Sequence, residues 1–176
     1  MSDAPPRRRL PVVGAGAPPP EEERPPWHWS GIGAVLTFAA WLPLSWVSTW
    51  LSRRLLGGVI PGEGPEALAS FLAQASGRDR ALVQACLAGP AVVAYAAGAL
   101  FGGYLVGRFG GKAGPKEAGA GGLAAGSVAW ALTAADGGLV ARLWLWPLAA
   151  GLGLLAGYVG GRLGRRGRSP GDALAG

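Results

Sequence analysis

The sequence predicts an all-α integral membrane bundle of four transmembrane helices with glycine-rich helix contacts. Three observations carry that expectation. Only 15% of the residues are charged while half are hydrophobic, and the charges gather in short stretches separated by long uncharged runs. A bilayer imposes such segregation, because roughly 20 apolar residues in a helix cross a hydrocarbon core about 30 Å thick, whereas helices in water interleave charge with every turn. Small residues also recur at four-residue steps inside the uncharged runs. Finally, the phrase GYLVGRFG at 103–110 returns as GYVGGRLG at 157–164, each copy closing an apolar run with glycine, tyrosine and arginine.

Residues 1–26, MSDAPPRRRLPVVGAGAPPPEEERPP, combine proline, glycine and charge. They offer too little apolar area to offset the entropy of ordering, so a disordered tail is expected. The first span is expected at 29–51, WSGIGAVLTFAAWLPLSWVSTWL. Arg7, Arg8 and Arg9 ahead of an apolar stretch also suit a signal peptide, but the apolar core is too long and no convincing A-x-A cleavage site follows it. The connector LLGGVIPGEGPEALASFLAQASGRDR carries Pro65 where a first helical turn tolerates proline. Leu68, Phe71, Leu72 and Ala75 then recur at helical spacing, which predicts a short surface helix.

The second span is expected at 81–107, interrupted only by Gln84 and Pro90. Proline is tolerated in a spanning helix where neighbours satisfy the freed carbonyl. Arg108, Lys112 and Lys116 mark a tight polar connector, and the third span follows at 118–135, built of small residues more than greasy ones. Asp136, Gly137 and Gly138 read as a turn, and the fourth span is expected at 139–161. Together 27–164 form the transmembrane domain, and 165–176 a basic, flexible tail.

Four spans place both termini and the 108–117 connector on one side, with eleven Lys and Arg residues there against five opposite. The positive-inside bias makes that side cytoplasmic. Trp27, Trp29, Tyr104 and Tyr158 fall at the inner boundary, and Trp46, Trp50, Trp144 and Trp146 at the outer, as aromatic belts require. Fourteen Arg against two Lys, with 32 Gly, suit a GC-rich bacterial genome, so the expected site is a bacterial inner membrane.

Helices in lipid associate through close packing, which favours small residues at their contacts. Gly98 and Gly102 make one four-residue step on the second helix, and Gly103 and Gly107 another on a different side. That helix is therefore expected to touch two neighbours. Ala118, Gly122, Gly126 and Ala129 share a face on the third helix, as Gly153, Gly157, Gly160, Gly161 and Gly164 are expected to do on the fourth.

The stretch GGYLVGRFGGKAGPKEAGAGGLAAG, 102–126, resembles a motif in small uncharacterised bacterial multi-span membrane proteins of the YrzE-like type. There a glycine-rich helix ends in basic residues and a short turn leads into another small-residue helix. The resemblance implies a multi-span helical protein and brings no activity with it.

Catalytic patterns are absent from the sequence: His28 is the single histidine, no carboxylate pair falls within the spans, and no serine has a base beside it. Cys86 is the single cysteine, which rules out a disulfide within the chain or a cysteine metal site. No cofactor, metal or catalytic residue is expected. The net charge of +6 sits at the ends of apolar runs and not along one helix face, so no nucleic acid is expected either. Trp41, Tyr95 and Trp130 fall at similar mid-membrane depth, with Ser45, Ser127 and Thr133 nearby, and are the candidates to line a cavity. Arg108, Lys112, Lys116, Arg162, Arg165 and Arg166 are the candidates for contact with anionic lipid headgroups. The expected function is that of a non-enzymatic packing or scaffold subunit, as a homo-oligomer or within a larger membrane complex. The alternative is a small-solute channel or transporter subunit using the mid-membrane cavity.

Overall fold

A computed structural model of the chain describes residues 27–60, 62, 64–135 and 143–167. The described residues form five helices and no strand: α1 (His28–Gly57), α2 (Pro65–Gln74), α3 (Gly77–Phe109), α4 (Pro115–Ala135) and α5 (Leu145–Arg166). The disorder expected of 1–26, the turn at Asp136 to Gly138, the first residues of the fourth span and most of the basic C-terminal tail lie outside the described residues.

Capping chemistry sets the helix limits more than hydropathy does. α1 runs on through Arg53 and Arg54 because a charge ends what hydrocarbon can cover, not what a helix can include, and it stops only at Gly57. Within its last two turns, the Arg54 guanidinium lies over the Trp50 ring at 5.4 Å. α3 begins ahead of its apolar run because Ser76 caps it. The Ser76 Oγ accepts from the Asp79 N–H at 3.3 Å and donates to the Asp79 carboxylate at 2.7 Å. α4 opens with Pro115, whose missing N–H costs nothing in a first turn, and Glu117 reaches back to accept the Gly114 N–H at 2.7 Å. α5 starts at Leu145, later than the apolar pattern suggests, after a turn at Leu143 and Trp144.

Pro43 and Pro90 lie inside α1 and α3 without ending them. Each removes one backbone donor from its helix. Ser45 donates to the Leu42 carbonyl at 2.7 Å, and Ser52 reaches across from α1 to the Leu87 carbonyl of α3 at 3.4 Å.

The helices close into a ring in the order α1, α3, α5, α4. α1 runs antiparallel to α3, with Gly33 near Val106, Thr37 at Gly102, Trp41 at Gly98 and Ser52 at Leu87. α4 runs antiparallel to α5, with Ala118 at Gly157, Gly122 at Gly153 and Gly126 at Ala149. α3 and α5 are parallel neighbours, Gly103 against Gly157 and Gly107 against Gly161. α3 and α4 also touch across one diagonal, so the short connector between them crosses the end of the bundle. Its Gly110, Ala113 and Gly114 are buried accordingly, with Ala113 in a cluster with Val106, Ala118 and Trp29. Gly111 turns the connector with φ +54°, a backbone state glycine adopts without a Cβ clash.

The distribution of side chains is inverted relative to a water-soluble bundle. On α1 the buried residues are Gly33, Thr37, Ser48 and Ser52, and on α5 they are Ala150 and five glycines. The large apolar side chains face outward: Trp46 is 80% exposed, Val35 and Val93 67%, and Leu155 63%. Among the described residues α1 and α3 are each long and apolar enough to cross a membrane. α4 and α5, at 21 and 22 residues, are about 32 Å long and match the hydrocarbon thickness in length. Their glycine and alanine content, and the arginines that end α5, make them less apolar than the other two.

Candidate functional site: the tyrosine junction and the basic helix ends

Backbone contact is possible in this bundle only where side chains are missing. A Cβ placed on Gly103 would fall on the Gly157 carbonyl, and one on Gly107 on the Gly161 carbonyl. A Cβ on Gly98 would meet the Trp41 Cβ at 3.1 Å, and one on Gly102 the Thr37 hydroxyl at 2.6 Å. The two glycine steps of α3 thus serve two neighbours, α1 and α5. On α4, Gly122 lies against the Gly153 carbonyl, and a Cβ on Gly126 would stand 2.5 Å from the Ala149 carbonyl. On α5 the contact glycines do not share the single face expected but divide into two rows, because the helix packs against two neighbours. Gly153, Gly157 and Gly161 face α4, while Gly160 and Gly164 lie against the Leu100 and Tyr104 carbonyls of α3.

The repeated phrase therefore meets itself. Its two copies lie side by side on α3 and α5, yet they make different contacts. Gly103 and Gly107 are directed at α5, whereas Gly157 and Gly161 have Ala118 of α4 as their nearest neighbour.

Three packing positions have weaker sequence signals than the four-residue glycine steps. Gly121 seats α4 on α1, where an added Cβ would come within 2.7 Å of the Ser30 carbonyl. Gly33 and Thr37 form the matching surface of α1, and the Thr37 hydroxyl donates to the Gly33 carbonyl at 2.8 Å. The signal was present as Gly33, Thr37, Ser48 and Ser52, a stripe in which hydroxyl residues stand in for glycine.

Tyr95 is the point where all four long helices meet. From α3 its ring sits edge-on to Trp41 of α1, with centroids 5.9 Å apart. Its hydroxyl donates to the Gly122 carbonyl of α4 at 3.0 Å and occupies the space beside Gly126 and Gly153. Trp41 and Tyr95 are thus brought together. Trp130 stands half-buried on α4, two turns beyond Gly122. Ser127 donates to its own helix at Leu123 and accepts from the Trp146 indole N–H at 3.1 Å, joining α4 to α5 near their far ends. Ser45 is likewise bonded within its own helix, and the Thr133 side chain lies outside the described set. Among the described residues no buried side-chain nitrogen or oxygen lacks a partner.

The six basic residues expected at the headgroups lie at the opposite end from Ser52 and Leu87. Arg108 ends α3, Lys112 lies on the connector, Lys116 is in the first turn of α4, and Arg162, Arg165 and Arg166 are in the last two turns of α5. Arg165 donates to the Lys112 carbonyl at 3.3 Å and covers Gly114, where a Cβ would stand 2.7 Å from its guanidinium carbon. The end of α5 is thereby clamped over the connector. His28 stacks on Trp27 with centroids 3.9 Å apart, and no group of three or more His, Cys, Asp or Glu residues suited to a metal occurs among the described residues.

No family model, curated protein or solved structure matches the chain.

Proposed function

We propose that the chain is a four-span integral membrane protein of a bacterial inner membrane, with both termini cytoplasmic, acting as a non-enzymatic packing or scaffold subunit. The observation that carries this reading is the inverted side-chain distribution. Small and hydroxyl residues make up most of the interior, with Val83, Tyr95 and Val106 of α3 as larger members, while leucine and valine face outward on all four long helices and tryptophan does so on α1 and α5. Water would penalise that exterior heavily, since apolar area costs about 25 cal/mol per Å² to expose, whereas hydrocarbon solvates it freely. Length supports α4 and α5 as spans beside α1 and α3. Their lower hydropathy is compatible with spanning because their glycines are spent on contacts inside the bundle and need no lipid.

The same contacts bear on how such a subunit meets partners. The glycine steps of α3, α4 and α5 are occupied within one chain, so a partner helix would pack on the large outer side chains. A channel or transporter reading is less well supported, because the Tyr95 hydroxyl fills the mid-depth space between Gly126 and Gly153. Flux measured in liposomes carrying the purified chain separates the two. A scaffold leaves ion and small-solute permeability at the level of empty liposomes while crosslinking in native membranes traps it with partner chains. Flux above that background, reduced by substitution at Trp41 or Trp130, would favour the channel.

A further inference from the structure

The outer groove between α4 and α5 changes character along its length. Leu154 and Leu155 of α5 and Leu123 of α4 are exposed in its middle. Tyr158 follows toward the basic end, its Cβ packed over Gly119 of α4 at 3.4 Å from a Cβ placed there. One turn on comes Arg162, exposed, and one turn further Arg165 and Arg166, both exposed, with Arg165 lying over Gly114 just before the first turn of α4. Lys116, also exposed, belongs to that turn. The order is hydrocarbon, then a phenol, then clustered cations. Among the described residues Glu117 is the one acidic residue at this end, and its carboxylate accepts the Gly114 N–H.

We propose that this groove is a binding site for an anionic phospholipid. The acyl chains lie along Leu154, Leu155 and Leu123, and the phosphate is held by Arg162 and Arg166 with Lys116 opposite. Tyr158 sits at the glycerol level, where an amphipathic ring is favoured. Arginine suits the head because its planar fork pairs two N–H donors with two phosphate oxygens. A soluble phosphate compound would leave the leucines uncovered, and a neutral lipid would bring no net negative charge to the cations. The proposal rests on the membrane reading above and narrows it to one lipid class at one groove.

The test reconstitutes the full chain into bilayers of phosphatidylcholine containing a minor fraction of phosphatidylglycerol, then counts the lipids that remain after gentle detergent extraction by native mass spectrometry. Phosphatidylglycerol should be retained well above its bulk fraction. The double substitution Arg162→Gln, Arg166→Gln should lower that enrichment by about ten-fold or more, each cation near anionic lipid being worth about one factor of five. Arg78→Gln with Arg80→Gln, which removes equal charge at the start of α3, should leave it unchanged. Equal retention of the two lipids, an equal loss in both variants, or displacement by soluble glycerol phosphate would overturn the proposal. Failure of the chain to enter pure phosphatidylcholine bilayers would instead overturn the membrane reading, so the two failures are distinguishable.

Discussion

Gly153→Val should separate α4 from α5 and cost the bundle about 3 kcal/mol or more of stability. The Gly153 and Gly122 backbones are in reciprocal contact: a Cβ on either would fall on the other's carbonyl, and at Gly153 also on the Tyr95 hydroxyl. Overpacking a well-filled interior costs about 1–3 kcal/mol when side chains can shift. Here the obstacle is a backbone carbonyl, so relief requires one helix to move as a unit and the tyrosine to lose its place. Gly151→Ala, two residues earlier on α5, is the internal comparison. Nothing lies within 4 Å of a Cβ there, and a helical glycine replaced by alanine gains about 0.5–1 kcal/mol. Unfolding in mixed micelles of mild detergent and SDS should move in opposite directions for the two variants. Equal midpoints would mean that α4 and α5 do not touch where Gly122 and Gly153 now meet.

Tyr95→Ala should be the most damaging single truncation in the interior, at about 3–5 kcal/mol by analogy with other buried aromatic side chains. It removes the edge contact with Trp41 and the hydroxyl that occupies the gap between Gly126 and Gly153, a gap that glycines cannot fill themselves. Tyr95→Phe keeps the ring and loses only the bond to the Gly122 carbonyl, which in a membrane interior is worth about 1 kcal/mol. The ratio of the two losses, measured by the same SDS titration, separates packing from hydrogen bonding. Should Tyr95→Ala leave stability intact but raise solute flux through liposomes, Tyr95 would line a pathway and not plug a core.

The sequence showed the helical class and the two longest helices because their signals are local. Uncharged length is visible residue by residue, and so are the steps Gly98 to Gly102 and Gly103 to Gly107 that assign α3 two neighbours. Ring order was not legible. Gly103 shows that some backbone approaches it, and only the fold shows that Gly157 does so. Helix ends departed from the apolar pattern for a related reason: Ser76 and Glu117 cap according to backbone donors, which hydropathy does not track. Tyr95 stood out through its depth and its aromatic neighbours, yet its partner is a main-chain carbonyl, and such acceptors leave no mark in the sequence. α1 was the least readable surface, because its contact face is written in Thr37, Ser48 and Ser52 and those residues also occur on polar exteriors.

Whether α4 and α5 cross hydrocarbon is the question on which the four-span reading turns, and thiol labelling answers it most directly. In a Cys86→Ser background, single cysteines at Val128 on α4 and Leu155 on α5 probe two outward-facing positions, and one at Lys112 on the connector serves as the accessible reference. In sealed membranes opened only by brief permeabilisation, a water-borne maleimide should label the position at 112 quickly and leave those at 128 and 155 unmodified until detergent is added. Labelling of 128 and 155 at the rate of 112 in intact bilayers would place α4 and α5 in water and contradict the four-span membrane bundle.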